Sequence, residues 1–152
     1  MFAHDPNPSP LPASERSARL VDPGFGRVFT DHMAVVHYSA DKGWHDATIT
    51  ARKPLTMDPA SSVLHYAQEI FEGLKAYRLD DGAMALFRPD ANARRFRASA
   101  RRLAMPELPD ELFIASCEEL VKADREWMPA IEGGSEAIEA YLNTKFVSQA
   151  GL

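Results

Sequence analysis

Val63-Leu64-His65-Tyr66-Ala67-Gln68-Glu69-Ile70-Phe71-Glu72-Gly73-Leu74-Lys75-Ala76-Tyr77-Arg78 changes its pattern midway, and that change sets the fold class. Tyr66, Ala67, Ile70 and Phe71 recur at helical spacing, which predicts a helix over residues 64–72. Gly73 ends it, since glycine weakens a helix and readily adopts the backbone of a break. Residues 74–79 then read as a strand, and residues 83–88 as its partner. Asp80-Asp81-Gly82 joins them, with glycine able to supply the left-handed residue of a tight hairpin.

Upstream, Met33 to Tyr38 form a β-prone run, Lys42-Gly43 gives a turn signal, and residues 47–53 read as the returning strand. Downstream, Pro89 suits the first turn of a helix on whose one face Ala93, Phe96, Ala100 and Leu103 recur until Pro106. Asp110 and Glu111 open a second helix, where negative charge complements the dipole. Phe113, Cys117, Leu120 and Val121 form its apolar stripe, which runs on toward Trp127. Strands followed by helices predict an α+β domain, a small antiparallel sheet with two packed helices. Residues 1–23 hold Pro6, Pro8, Pro10, Pro12 and Pro23, so they are expected to form a flexible arm outside helix and ladder. Beyond Gly133-Gly134, residues 135–143 read as a weakly amphipathic helix.

The chain has 152 residues, enough for one domain burying roughly two thirds of its unfolded surface. No apolar stretch nears the roughly 20 residues a membrane helix requires, and the first residues do not resemble a secretory signal. The expectation is a cytoplasmic protein without membrane partners. A net charge of −5 disfavours nucleic acid, whose phosphates demand a basic surface. The single cysteine, Cys117, excludes an internal disulfide and any cysteine-cluster metal site, and its position on the apolar stripe gives it a packing role.

Chemistry has to come from individual positions. Arg95 and Arg102 border the apolar stripe of the Pro89 helix, where a guanidinium can reach an anion with two parallel hydrogen bonds. The same spacing also suits a solvated basic face, the commoner use of such arginines. Tyr66, Ile70, Phe71 and Tyr77 suit either an apolar pocket or plain core. His65 lacks a carboxylate partner at meaningful spacing and reads as structural, and His32 and His37 carry no metal-ligand pattern. Glu69 and Glu72 read as surface or capping charges rather than a catalytic pair.

Several segments in order carry a resemblance to a known family. They are Gly24-Phe25-Gly26, Phe29-Thr30-Asp31-His32-Met33, Lys42-Gly43-Trp44-His45, Asp58-Pro59 and the opening stretch. Phe87-Arg88-Pro89, Ser99-Ala100-Arg101-Arg102-Leu103 and Asp124-Arg125-Glu126-Trp127-Met128-Pro129 continue it. Residues 24–134 resemble the small N-terminal domain of branched-chain amino acid aminotransferases, of the fold type IV pyridoxal-phosphate group. The resemblance implies transfer of the amino group between leucine, isoleucine or valine and 2-oxoglutarate, in a homodimer using pyridoxal 5'-phosphate. It assigns Arg95 to the cofactor phosphate and Phe25, Tyr66, Phe71 and Gly73 to the substrate side-chain pocket.

Residues 135–152 depart from that family's Tyr-x-Arg-Pro strand, and no position here matches its Schiff-base lysine, so no residue is assigned a catalytic role. Lys145 reads as a surface lysine. The expectation is an N-terminal fragment, inactive alone, with an unmatched tail. The alternatives are another fold type IV activity, D-amino acid transamination or aminodeoxychorismate lyase chemistry, and a noncatalytic partner of intact subunits.

Overall fold

β-Branched and aromatic residues around the Lys42-Gly43 turn build the longest ladder among the described residues. In this computed structural model, which describes residues 1–24 and 26–128 and the backbone of 144–147, β2 (His32–Ser39) and β3 (Gly43–Ala51) pair antiparallel. Ala34 faces Ile49 and Tyr38 faces Trp44, with a bulge between Val35 and His37 that shifts the register. Gly43 takes φ 69°, the left-handed conformation the turn requires. Ile49 is almost fully buried.

The proline-rich N-terminus departs from expectation, because it contains both a ladder and a helix. β1 (Ala3–Asp5) adds parallel to the free edge of β3, giving the order β1-β3-β2, and α1 spans Ala13–Leu20. Pro6, Pro8, Pro10 and Pro12 fall between these two elements, so none interrupts a ladder bond or a helical turn. A strand borrowing its partner from residues 48–50 is invisible to local composition.

A set of polar contacts ties this arm down. The backbone N–H of Asn7 donates to His32 Nε2 at 3.0 Å, which leaves His32 Nδ1 as the protonated nitrogen donating to Asp124 Oδ1 at 2.7 Å. Asp124 Oδ2 also accepts the His32 backbone N–H at 3.2 Å, and Asp124 is buried. Beside it, Asp31 accepts from Trp127 Nε1 at 2.8 Å and from the Leu11 N–H at 3.1 Å.

The stretch quoted first is more strand than helix. α2 covers only Ser62–Tyr66, because Ala67 turns left-handed at φ 48°, and β4 (Glu69–Glu72) follows. Ile70 and Glu72 are buried while Glu69 and Phe71 are exposed, the alternation of a half-buried strand rather than a helical stripe. The backbone of β7 (Thr144–Val147) pairs antiparallel with β4, Ile70 opposite Phe146. The expected helix over 135–143 lies outside the described residues.

The hairpin of β5 (Ala76–Arg78) and β6 (Met84–Leu86) forms as expected. Gly82 sits at φ 80°, and the Leu79 N–H donates to the Ala83 carbonyl at 2.8 Å. α3 (Pro89–Arg102) and α4 (Asp110–Ala123) follow, and a 3-10 turn at Arg125–Trp127 succeeds α4. Ala93, Phe96 and Ala100 of α3 pack with Phe113, Cys117 and Val121 of α4 in one buried cluster. The Phe96 and Phe113 rings lie 5.3 Å apart, tilted by 45°. Ile70 of β4, Ala76 of β5 and Leu74 between the two strands join that cluster. The molecule is α+β, and the strands of the described residues divide among three small sheets, one of them mixed, where a single antiparallel sheet was expected.

Candidate functional site

The alternation of β4 decides the geometry around Arg95. Glu72 points inward with Ile70 and so meets α3, whose Asn92 and Arg95 stand one turn apart on the facing side. Arg95 engages Glu72 in bidentate fashion, Nε donating to Oε1 at 2.5 Å and Nη2 donating to Oε2 at 2.7 Å. Asn92 Nδ2 donates both to Glu72 Oε2 at 2.8 Å and to the Gly73 carbonyl at 3.0 Å. Three donors from one helix therefore converge on one buried carboxylate.

The two partners differ sharply in exposure: the side chain of Glu72 is 3% exposed and that of Arg95 is 66%. The hydrogen bonds to Glu72, with its charge, raise the Arg95 pKa above an already high ordinary value, so the guanidinium is permanently cationic. An arginine carries five N–H groups, and the pair with Glu72 uses two of them. The rest of the fork belongs to an exposed side chain and suits an oxyanion such as phosphate. The donor chemistry thus fits the group the resemblance implies.

The remaining candidates are placed unevenly. Gly73 adjoins the Arg95 site through its carbonyl bond to Asn92. Phe71 lies on the other face of β4 from Glu72 and is exposed, and Tyr66 at the end of α2 is 82% exposed. Phe25 lies outside the described residues. Two open clefts lie elsewhere, one along residues 78–81 and one between Arg19, Asp31, Arg52 and Trp127; neither is lined by Tyr66, Phe71, Gly73 or Arg95.

Glu72 and Asn92 are the residues that sequence reasoning missed. Glu72 was expected at the surface, and it is buried. Reading the segment with period two would have shown it, because Glu72 shares its face with Ile70. Three other arginines of α3 have ordinary surface partners: Arg94 pairs with Asp90, Arg97 with Asp110 and Arg101 with Glu107. The His65 ring is bonded to the Pro59 carbonyl at 2.6 Å. Among the described residues no group of three or more His, Cys, Asp or Glu side chains could hold a metal ion.

No family model matches the chain. Curated proteins do. Over 133 residues, 88% of the chain, it is 56% identical to a probable branched-chain-amino-acid aminotransferase of Streptomyces coelicolor, of which it covers 36%. Over 145 residues, 95% of the chain, it is 51% identical to a branched-chain-amino-acid aminotransferase of Mycobacterium tuberculosis, covering 39% of it. That match leaves only seven of 152 residues outside it, so it extends past Gly134, where the sequence resemblance had been expected to stop. The branched-chain-amino-acid transaminase 1 of Bacillus subtilis is 47% identical over 119 residues, 78% of the chain and 33% of the relative. The chain spans a little over a third of the length of the first of these relatives.

Proposed function

We propose, for a chain that over its matched residues is homologous to branched-chain-amino-acid aminotransferases, that it supplies the cofactor-phosphate grip and part of the substrate pocket of such an enzyme. The parent reaction moves an amino group between leucine, isoleucine or valine and 2-oxoglutarate. Pyridoxal 5'-phosphate, when bound, supplies the carbonyl that carries the amino group and the electron sink for the proton transfer. A homodimer of the complete enzyme and a cytoplasmic setting belong to the same proposal.

The observation that carries the reading is Arg95, a cation held by a buried carboxylate yet largely open to solvent. Its share of the work is binding and orientation: it anchors a phosphate, and thereby fixes where the rest of a ligand sits. Gly73, whose carbonyl is bound by Asn92, brings bare backbone beside that anchor. Phe25, Tyr66 and Phe71 are proposed to meet the substrate side chain, since leucine, isoleucine and valine offer only apolar surface for selection.

The test is ligand preference. The chain should bind pyridoxal 5'-phosphate more tightly than pyridoxal, and Arg95→Ala should reduce that preference by about tenfold or more, the loss expected for a charge-assisted pair. An unchanged preference in Arg95→Ala removes the phosphate assignment. Glutamate formation from leucine and 2-oxoglutarate, measured on this chain mixed with the remaining part of one of these relatives, tests the reaction itself.

A further inference from the structure

We propose that Glu72 and Asn92 act as positioning residues that fix the aim of Arg95 before any phosphate arrives. This rests on the phosphate reading above and deepens it. A free arginine side chain carries considerable rotamer freedom, and an anion that captures it has to order it. Here the ordering is already done, because Nε and Nη2 are both engaged by the two oxygens of Glu72.

Glu72 in turn has little freedom of its own. Its side chain is buried, and Asn92 Nδ2 holds Oε2 while also bonding the Gly73 carbonyl one residue along. The Gly73 backbone, the carboxylate and the guanidinium therefore form one chain of bonds, all gathered by a single turn of α3. Asn92 and Arg95 are three apart, so the helix itself sets their spacing.

The opposing effect is repulsion between Glu72 and an incoming anion. The carboxylate is buried and already neutralised by the guanidinium, whereas the exposed part of Arg95 meets solvent, so ordering outweighs repulsion. The two effects have opposite signs in Glu72→Gln, which removes the charge and one of the two acceptor oxygens. If positioning dominates, Glu72→Gln weakens phosphate binding; if repulsion dominates, it tightens it.

The experiment uses the 152-residue chain labelled with nitrogen-15, following the arginine Nε–Hε signals. The Arg95 signal is identified by its loss in Arg95→Met. Inorganic phosphate, pyridoxal 5'-phosphate and pyridoxal are titrated separately. The expected result is a slowly exchanging Arg95 Hε that shifts with the two phosphate compounds and not with pyridoxal. In Glu72→Gln that proton should exchange faster and affinity for pyridoxal 5'-phosphate should fall by about tenfold, with pyridoxal affinity unchanged.

Asn92→Ala, which loosens Glu72 without altering charge, should give a smaller loss of the same kind and carries the test if Glu72→Gln does not fold. Equal or tighter phosphate binding in a folded variant, with an undisturbed Arg95 signal, overturns the positioning role and leaves the phosphate reading standing. A wild-type Arg95 signal that ignores both phosphate compounds overturns the phosphate reading and the positioning role together.

Discussion

Asp124 shows how much a single carboxylate can hold in this protein. It receives both the ring and the backbone N–H of His32, while the other ring nitrogen of His32 accepts from Asn7. Asp124→Ala removes two bonds and strands a histidine that is partly buried. We expect a loss of about 2–3 kcal/mol, read by urea denaturation, since each buried donor left unmade costs on that order. A loss below half of that would mean the N-terminal arm is held elsewhere. Asp124 was legible in the sequence only as part of a family-like segment. Its partner lies far away in the chain, a distance no local pattern bridges.

At the scale of elements, the segment after Ser62 is where local reading failed and where it can be tested. Tyr66, Ile70 and Phe71 fit a helix as well as they fit a turn and strand, and short apolar runs do not distinguish the two. The left-handed Ala67 settles the matter, since an alanine there is strained and ends α2 after five residues. Ala67→Gly should stabilise the protein by up to about 1 kcal/mol by relieving that strain, and Ala67→Val should destabilise it, both read from thermal midpoints. Equal midpoints would place the strain elsewhere. By contrast α3, α4 and the β5–β6 hairpin were legible, because their stripes are long and their ends carry proline or glycine in positions those residues suit. The Arg95 position was legible too, but its partner was not, since Glu72 was assigned to the wrong kind of element.

The whole molecule rests on the α3–α4 cluster more than on its surface charges. Phe96 and Phe113 are each 1% exposed, so Phe96→Ala should cost about 3–5 kcal/mol in denaturant unfolding, through lost burial and the cavity left behind. The surface pairs behave differently. Arg101 holds the Glu107 carboxyl below its ordinary 4.5, and Lys122 does the same for Glu119. A carboxylate whose folded pKa is lowered stabilises the protein above its unfolded value, and that contribution disappears as pH falls through the lower folded value. Thermal stability should therefore decline gently below pH about 4.5, and added salt should flatten the decline because these groups are exposed. A decline insensitive to salt would point instead to buried carboxylates.

β4 separates two neighbouring residues by nothing more than the pleat of a strand, Glu72 turned toward α3 and Phe71 turned away. Such a partition makes its two sides independently tunable. Exchanging Phe71 for another apolar residue reshapes the outer side while the anchor on the inner side keeps its bonds. Under the roles proposed for Phe71 and Arg95, preference among amino acids of different bulk can drift in a lineage at one position without any change in how tightly an anion is held at the next.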